Sequence, residues 1–368
     1  MRVVGYLASW GVRTKGTRIA DLPARDLTHI FYAFGRIDST GRVTLGDPCL
    51  DVGACPGGQA AAPGGNFAEL RRLKERNPHL KLVVSIGGWS GSGRFSDAAL
   101  TDSTRRLFSE SAIDVFIRQT SGLFDGIDLD WEFPVSGGPE TNVRRPADKE
   151  NFTLLLAELR RQLDAQGAND KRRYELAIAA SANPRALANI EVERIVPLLD
   201  FINVMTYDYY AGSRRTGFNS PLYAATGEST PSFNIDATIR AFIEAGAPAG
   251  KLLVGIPFYG RAYGGVPGAN NGLFQPVGGP PAGWRGGDGD WRVLSQTRLK
   301  DPRYVKHWEE SARVPFLYDS TSGTWVSYDD PRSVGEKVRY VRERGLGGVM
   351  IWELGGDDGS LMRAISGG

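Results

Sequence analysis

Short apolar, β-branched runs recur along the chain, most followed by a turn and an amphipathic stretch. Eight stand out, at residues 3–9, 27–34, 81–88, 126–132, 174–181, 201–208, 252–259 and 347–354. Most are nearly continuous in apolar character, the pattern of strands covered on both faces within a parallel sheet. Between them, helical periodicity predicts helices over 66–76, 103–120, 147–166, 191–199, 237–245 and 333–344. The third puts Leu154, Leu155, Ala157, Leu159 and Leu163 on one broad face, with Glu158, Arg161 and Gln162 elsewhere. The last opens at Ser333 with Glu336 three residues on, the spacing of a capping box, and stops at Gly345. Strand–helix alternation of this length predicts an α/β fold, a (β/α)8 TIM barrel, over an open sheet.

The seventh crossover breaks the rhythm. Residues 262–330 are rich in Gly and Pro early (Gly264-Gly265, Pro267, Gly279-Pro280-Pro281) and strand-like at 316–318 and 324–328. Structureless loops of that length are uncommon in compact domains, so the span is expected to be a small α+β insertion on the top face of the barrel. The predicted division is a barrel made of 1–261 with 331–368, and the insertion of 262–330. A shorter stretch, 41–65, reads as a decorated loop after the second strand and holds Cys49 and Cys55. No internal repeat or second-domain linker is apparent.

Charge narrows the partners. Lys+Arg number 44 and Asp+Glu 42 in 368 residues, a net charge of +2, with no basic run; neither nucleic acid nor an anionic membrane is the expected principal partner. No stretch approaches the roughly 20 apolar residues of a membrane span. The opening residues, polar at Trp10, read as a strand and not as a secretory segment, so the chain is expected either to stay inside the cell or to have lost a leader ahead of this numbering. With no His beside them and no second pair, Cys49 and Cys55 do not resemble a zinc site; a loop disulfide and two idle thiols both remain open. His29, His79 and His307 are scattered. Neither metal nor cofactor is expected.

The richest chemistry lies in Asp125-Gly-Ile-Asp128-Leu-Asp130-Trp-Glu132. Side chains alternate along a strand, so Asp128, Asp130 and Glu132 share one face while Ile127, Leu129 and Trp131 share the other. The apolar set suits the helix layer, which turns three carboxyls toward the barrel interior. Carboxylates spaced about 7 Å apart in a shielded site cannot all ionise cheaply. A shared proton follows, and Glu132, outermost at the C-terminal end where this fold places its active sites, is the natural acid. A calcium loop would instead space its oxygens through flexible Gly and Asn.

Strand ends supply a second class of residue. Tyr6 and Trp10, Phe34, Trp89, Met205 and Tyr207, Tyr259 and Trp352 all fall at or just after predicted C-termini. Any one of them alone is most simply core packing. So many around one rim, above a carboxylate ladder, point to a carbohydrate substrate: aromatics stack on the apolar faces of sugar rings while Asp and Arg bond the hydroxyls.

The acidic segment matches the DxxDxDxE signature of family 18 glycoside hydrolases, the chitinases and their relatives. Ser85-Ile-Gly87-Gly88-Trp89 resembles the family's third strand, Met205-Thr-Tyr207-Asp208 its sixth, Pro257-Phe-Tyr259-Gly-Arg261 its seventh, and Gly347-Gly-Val-Met-Ile-Trp352-Glu its eighth. Residues 262–330 resemble the insertion domain that walls a deep cleft in that family. The resemblance implies that Glu132 protonates the scissile oxygen and then activates water. It implies that Asp130 orients the N-acetyl group and shares a proton with Asp128 or Glu132, and that Tyr207 donates its hydroxyl to the same acetamide. Family 18 is an exception to the two-carboxylate rule, using the substrate's own acetamide as nucleophile. Trp352 would floor the subsite of the distorted sugar; Tyr6, Phe34, Met205, Asp208, Tyr259 and Arg261 would line the pocket, with Trp10 and Trp89 in neighbouring subsites. Two departures are visible: Phe133 follows the acid where many relatives have Tyr, and Tyr209-Tyr210-Ala-Gly-Ser-Arg214-Arg215 replaces a loop that often contains Trp.

The implied function is a chitinase acting on chitin or chitooligosaccharides, expected as a monomer and, by family, extracellular. A chitin-binding lectin on the same scaffold would typically lack the acid, which Glu132 retains. An endo-N-acetylglucosaminidase acting on N-glycans would need the same acid and acetamide chemistry, but the insertion and Trp352 are closer to the chitinase branch.

Overall fold

A computed structural model describes residues 1–58 and 63–367. Part of the predicted 41–65 loop, residues 59–62, lies outside the described residues. Eight parallel strands form the barrel: β1 (Arg2–Ala8), β2 (His29–Ile37), β3 (Lys81–Gly87), β4 (Gly126–Asp130), β5 (Glu175–Ser181), β6 (Phe201–Met205), β7 (Leu252–Pro257) and β8 (Gly348–Trp352). Each pairs with the next, and β1 pairs with both β2 and β8, closing the cylinder. The predicted TIM barrel is the observed fold.

Strand alternation sorts the core into two layers. On β1, Val4 and Tyr6 point inward to meet Phe31, Phe201, Leu253 and Met350, while Val3 and Leu7 join the layer under the helices. Ile127 and Leu129 on β4, and Trp131 just after it, belong to that outer layer, where Trp131 stacks on Phe95 with ring centroids 5.2 Å apart. The inward positions Asp128 and Asp130 are 0% and 3% exposed. At the opposite end of the barrel, His29 Nε2 and Lys81 both meet the Glu175 carboxylate; burial raises its pKa, but the interactions with these two side chains outweigh burial and hold it down at about 2.

The main outer helices are α1 (Gly65–Arg76), α2 (Asp102–Ile113), α3 (Asp148–Asp170), α4 (Val192–Ile195), α5 (Ile235–Glu244), α6 (Pro331–Glu343) and α7 (Ser360–Ser366). Several boundaries differ from the periodicity. The helix expected over 103–120 ends as a π-turn, Asp114–Arg118. The one expected over 191–199 is four α-helical residues followed by a 3-10 turn containing Pro197, whose ring removes the hydrogen bond a longer α-helix needs. On α3, Phe152 and Leu156 take the buried places expected of Leu154 and Ala157, which sit half-buried at the edge. Helix α6 is capped by Asp330 and not by Ser333: Asp330 accepts from the Ser333 N–H at 2.9 Å, and the Ser333 hydroxyl accepts from the Asp330 N–H at 3.0 Å. Pro331 then occupies the first helical position, where its missing N–H costs nothing.

Between β7 and α6, a four-stranded antiparallel sheet is built from Arg261–Tyr263, Val305–Glu309, Val314–Asp319 and Thr324–Ser327. It begins one residue inside the stretch that the sequence allots to the barrel. It has its own core around Trp325, Phe316, Tyr318 and Phe218.

Cys49 and Cys55 are joined by a disulfide. It staples a short helix, Pro48–Val52, whose N-cap Asp47 accepts from the N–H groups of Cys49 and Leu50. Closing so small a loop removes modest entropy from the unfolded chain, worth roughly 2 kcal/mol. Cys49→Ser/Cys55→Ser is therefore expected to lower Tm by a few degrees in calorimetry; an unchanged Tm would mean the helix holds without its staple.

Candidate active site

A cavity of about 1270 Å³ opens at the C-terminal end of the barrel. Of the residues singled out in the sequence, Tyr6, Trp10, Phe34, Trp89, Asp130, Glu132, Met205, Tyr207, Asp208, Tyr259, Arg261 and Trp352 all line it. Asp128 does not; it lies one layer below, fully buried.

The acidic ladder is held from several sides. In register, Ser85 faces Asp128 and Gly87 faces Asp130 across β3 and β4. Asp128 Oδ2 accepts from the Tyr6 hydroxyl at 2.8 Å and the Ser85 hydroxyl at 2.7 Å; Asn203 donates in turn to the Tyr6 oxygen at 3.3 Å. Oδ1 of Asp128 and Oδ1 of Asp130 are buried without a hydrogen-bond partner among the described residues. Leaving such an atom unpaired costs about 1–3 kcal/mol.

Electrostatics follow from that burial. Asp128 is pushed up to about 6 by desolvation, against the hydrogen bonds that favour its anion. Asp130 is raised well above the carboxylate range by burial first, then by the charges of Glu132 and Asp128. Glu132 is raised to about 8, again mainly by burial, with Asp208 adding its charge. A carboxyl protonated near neutrality at the mouth of a cleft is equipped to act as a general acid.

Glu132 sits just past the end of β4, and its backbone is held on both sides of the peptide. Its N–H donates to Ser92 Oγ at 2.8 Å and its carbonyl accepts from Asn142 Nδ2 at 2.8 Å. Gly138 packs so closely that a Cβ there would lie 2.0 Å from the Glu132 oxygen, so only glycine lets the following loop fold back over the acid. Gly87 has a similar constraint: φ is +113° and a Cβ would meet the Asp130 oxygen at 2.3 Å.

Opposite the acid, the turn after β6 presents Tyr207 and Asp208. Among the described residues the Tyr207 hydroxyl has only the Met350 sulfur as partner, at 3.8 Å, a weak acceptor that leaves the hydroxyl able to donate elsewhere. Asp208 accepts from the Tyr259 hydroxyl at 2.7 Å and from Arg261 Nε at 2.8 Å, and its second oxygen meets the same guanidinium. An aromatic strip runs along the floor and one side: Trp352 stacks on Phe34 at 5.8 Å and 21°, and Phe34 on Trp10 at 6.0 Å and 29°. Trp89, on the rim, is 56% exposed.

Several lining residues escaped sequence reasoning. Lys15 Nζ bridges Glu353 at 2.6 Å and Asp290 at 3.0 Å, tying the turn after β1 to the end of β8 and to the insertion. Gly46, Asp47 and Leu50 bring the disulfide-stapled loop to the cleft wall. Asn203 had a legible signal, a lone amide in the apolar run Phe201-Ile-Asn203-Val. Ser92 and Asn142 had none. Among the described residues, no cluster of three or more His, Cys, Asp or Glu could hold a metal ion, and no helix is long and apolar enough to cross a membrane.

The family model described as Glycosyl hydrolases family 18 matches residues 2–357. Chitinase A1 of Niallia circulans is 40% identical over 397 residues, covering 97% of this chain; the chain spans only 56% of that protein's length. Among solved structures, a chitinase from Bacillus thuringiensis is similar with a TM-score of 0.91 and 33% identity, over 100% of this chain and 70% of that one. An Ostrinia furnacalis Group IV chitinase in complex with allosamidin is similar with a TM-score of 0.87 and 30% identity, over 100% and 98% of the two chains.

Proposed function

The chain belongs to family 18 of the glycosyl hydrolases, and from that premise we propose that it is a chitinase, hydrolysing β-1,4-linked N-acetylglucosamine polymers and oligomers with retention at the anomeric carbon. The observation that carries this assignment is the vertical arrangement at β4: a carboxyl protonated up to about pH 8 in an aromatic-walled cavity, above two buried aspartates and beside the hydroxyl of Tyr207.

In the first step Glu132 gives its proton to the glycosidic oxygen as that bond breaks. The acetamido oxygen of the sugar on the non-reducing side of the bond attacks the anomeric carbon, closing a cyclic oxazolinium ion. Asp130, as an anion after its proton is passed toward Asp128, faces the positive charge that develops on the acetamide nitrogen, and Tyr207 donates to the acetamide oxygen and holds it in line. Glu132, now ionised, takes a proton from water as the water opens the ring, restoring the acid. Trp352 offers a flat apolar face beneath the reacting sugar, and Phe34 and Trp10 extend that face to further sugars, with Trp89 across the rim. Tyr6 and Met205 close the bottom, while Asp208, Tyr259 and Arg261 supply hydrogen bonds on the opposite wall. The whole division of labour needs no bound metal. The disulfide fits an oxidising, extracellular setting.

A defined N-acetylglucosamine hexamer and a glycoprotein bearing N-glycans, each followed by mass spectrometry, test the substrate class. Cleavage of the hexamer into shorter oligomers, with the glycoprotein intact, is the expected result. Release of glycans with the hexamer untouched would assign the same chemistry to another substrate, and binding without cleavage would make the protein a lectin.

A further inference from the structure

The turn carrying Tyr207 and Asp208 is gripped from outside by two consecutive residues with no part in the chemistry above, Asn219 and Ser220, which are 1% and 0% exposed. Asn219 Oδ1 accepts from the Asp208 N–H at 3.1 Å, and its Nδ2 donates to the Tyr259 carbonyl at 3.4 Å. Its own N–H donates to Ser327 Oγ at 2.8 Å, in the last strand of the second sheet. Ser220 Oγ donates to the Thr206 carbonyl at 2.7 Å and accepts from Lys337 Nζ at 2.9 Å. That ammonium is fully buried against both oxygens of Asp329, each at 2.6 Å. The turn is thus pinned at Thr206 and at Asp208, and the pins are fastened to a buried ion pair and to a neighbouring sheet.

Asp208 needs such a grip. Its φ is +62°, in the left-handed region, where a residue other than glycine persists only if its surroundings impose the conformation. Relaxation of that backbone would swing the carboxylate and carry the adjoining Tyr207 with it.

Resting on the assignment of Glu132 as the acid, we propose that Asn219 is a positioning residue: by pinning the Asp208 backbone it keeps the Asp208 carboxylate facing Glu132 and the Tyr207 hydroxyl over the substrate acetamide. Ser220, Asp329 and Lys337 form the footing on which that pin stands. The groups that share the field around Glu132 and Asp208 are Asp130 from β4, Tyr207 beside Asp208, and Tyr259, Arg261 and Tyr263 from the segment after β7. Glu132 and Asp130 repel each other; burial raises the acid first, and the charge of Asp208, carried on the turn that Asn219 pins, raises it further. Moving Asp208 away lowers the pH at which Glu132 loses its proton.

The test is kcat/KM against pH, measured with the hexamer, for the wild type, Asn219→Ala, Asp208→Asn and the double variant. Asp208→Asn is expected to move the alkaline limb to lower pH. Asn219→Ala is expected to move it the same way and to lower kcat by about 10-fold or more, as misplacement of a bound substrate does. In the Asp208→Asn background, Asn219→Ala should add no further displacement of the limb, because the two act through one group. An Asn219→Ala enzyme with a lowered Tm and an unmoved limb overturns the proposal, as does a displacement of full size in the Asp208→Asn background. Should the alanine variant not fold, Asn219→Ser, which keeps a small polar group in the same space, is judged by the same two outcomes. Glu132→Gln, run alongside, separates the levels: if it still turns over, the acid assignment itself has failed.

Discussion

Glu132→Gln is expected to lower kcat on the hexamer by ~10²–10⁴-fold, the usual worth of a positioned general acid, while the oligosaccharide Kd stays close to that of the wild type. The split follows from the state of the acid before reaction. Burial and the charge of Asp208 keep Glu132 protonated up to about pH 8, so below that pH the resting side chain is already neutral. A glutamine of the same shape changes neither charge nor volume, leaving the aromatic floor and the Asp208–Arg261 wall to bind sugar as before. Only the proton is missing. An interaction lost from the transition state alone appears in kcat and not in KM. The sign of the pH dependence is fixed by the same shift: the wild type loses activity as pH rises through about 8, and the residual activity of Glu132→Gln should lack that limb. Single-turnover kinetics with isothermal calorimetry measure both halves. Undiminished turnover in the variant would dismiss Glu132 as the acid, and a collapse of binding instead of turnover would make it a ligand for sugar and no more.

How far the sequence alone leads to this site depends on whether a residue's task is local. The ladder is local: alternation along one strand put Asp128, Asp130 and Glu132 on one face, and the structure places the first two inside the barrel and the third at its mouth. The rim is nearly local, since each aromatic follows an apolar run, and Trp352, Phe34 and Trp10 do meet in one strip although 342 positions separate the first from the last. Cap signals are local as well; Asp330-Pro331 was a better helix start than Ser333, because proline at the first turn marks the boundary that periodicity blurs. What stayed hidden is what depends on distant partners. Lys337 lies on an amphipathic helix, where lysine ordinarily snorkels to water, and nothing nearby shows that Asp329 and Ser220 wall it in completely. Asn219 touches residues 11, 40 and 108 positions away, so its neighbours in sequence carry no trace of its work. Lys15 joins Asp290 and Glu353 only because the barrel closes.

A fully deacetylated glucosamine hexamer is expected to resist cleavage almost completely, and a hexamer acetylated at one known position should be cut only on the reducing side of that residue. The carboxyls of the ladder and Asp208 are poorly suited to replace the missing acetamide. Asp130 is 3% exposed and is held above the carboxylate range by burial first and by the charges of Glu132 and Asp128, which makes it a poor nucleophile at rest. Asp128 is deeper still. Asp208 already spends both oxygens on Tyr259 and Arg261, and Glu132 serves as the acid in the proposed mechanism. An acetamide tethered two bonds from the anomeric centre reacts at an effective concentration of ~10⁵ M or more when well oriented, so its loss outweighs the removal of most single side chains. Tyr207, with its hydroxyl free, would also lose the group it orients. Product mapping of the singly acetylated hexamers by mass spectrometry reads the requirement bond by bond. Brisk cleavage between two glucosamine units would place the nucleophile in the protein, and the ladder would then have to be understood as an ordinary pair of carboxylates, one acid and one attacking group, flanking the bond.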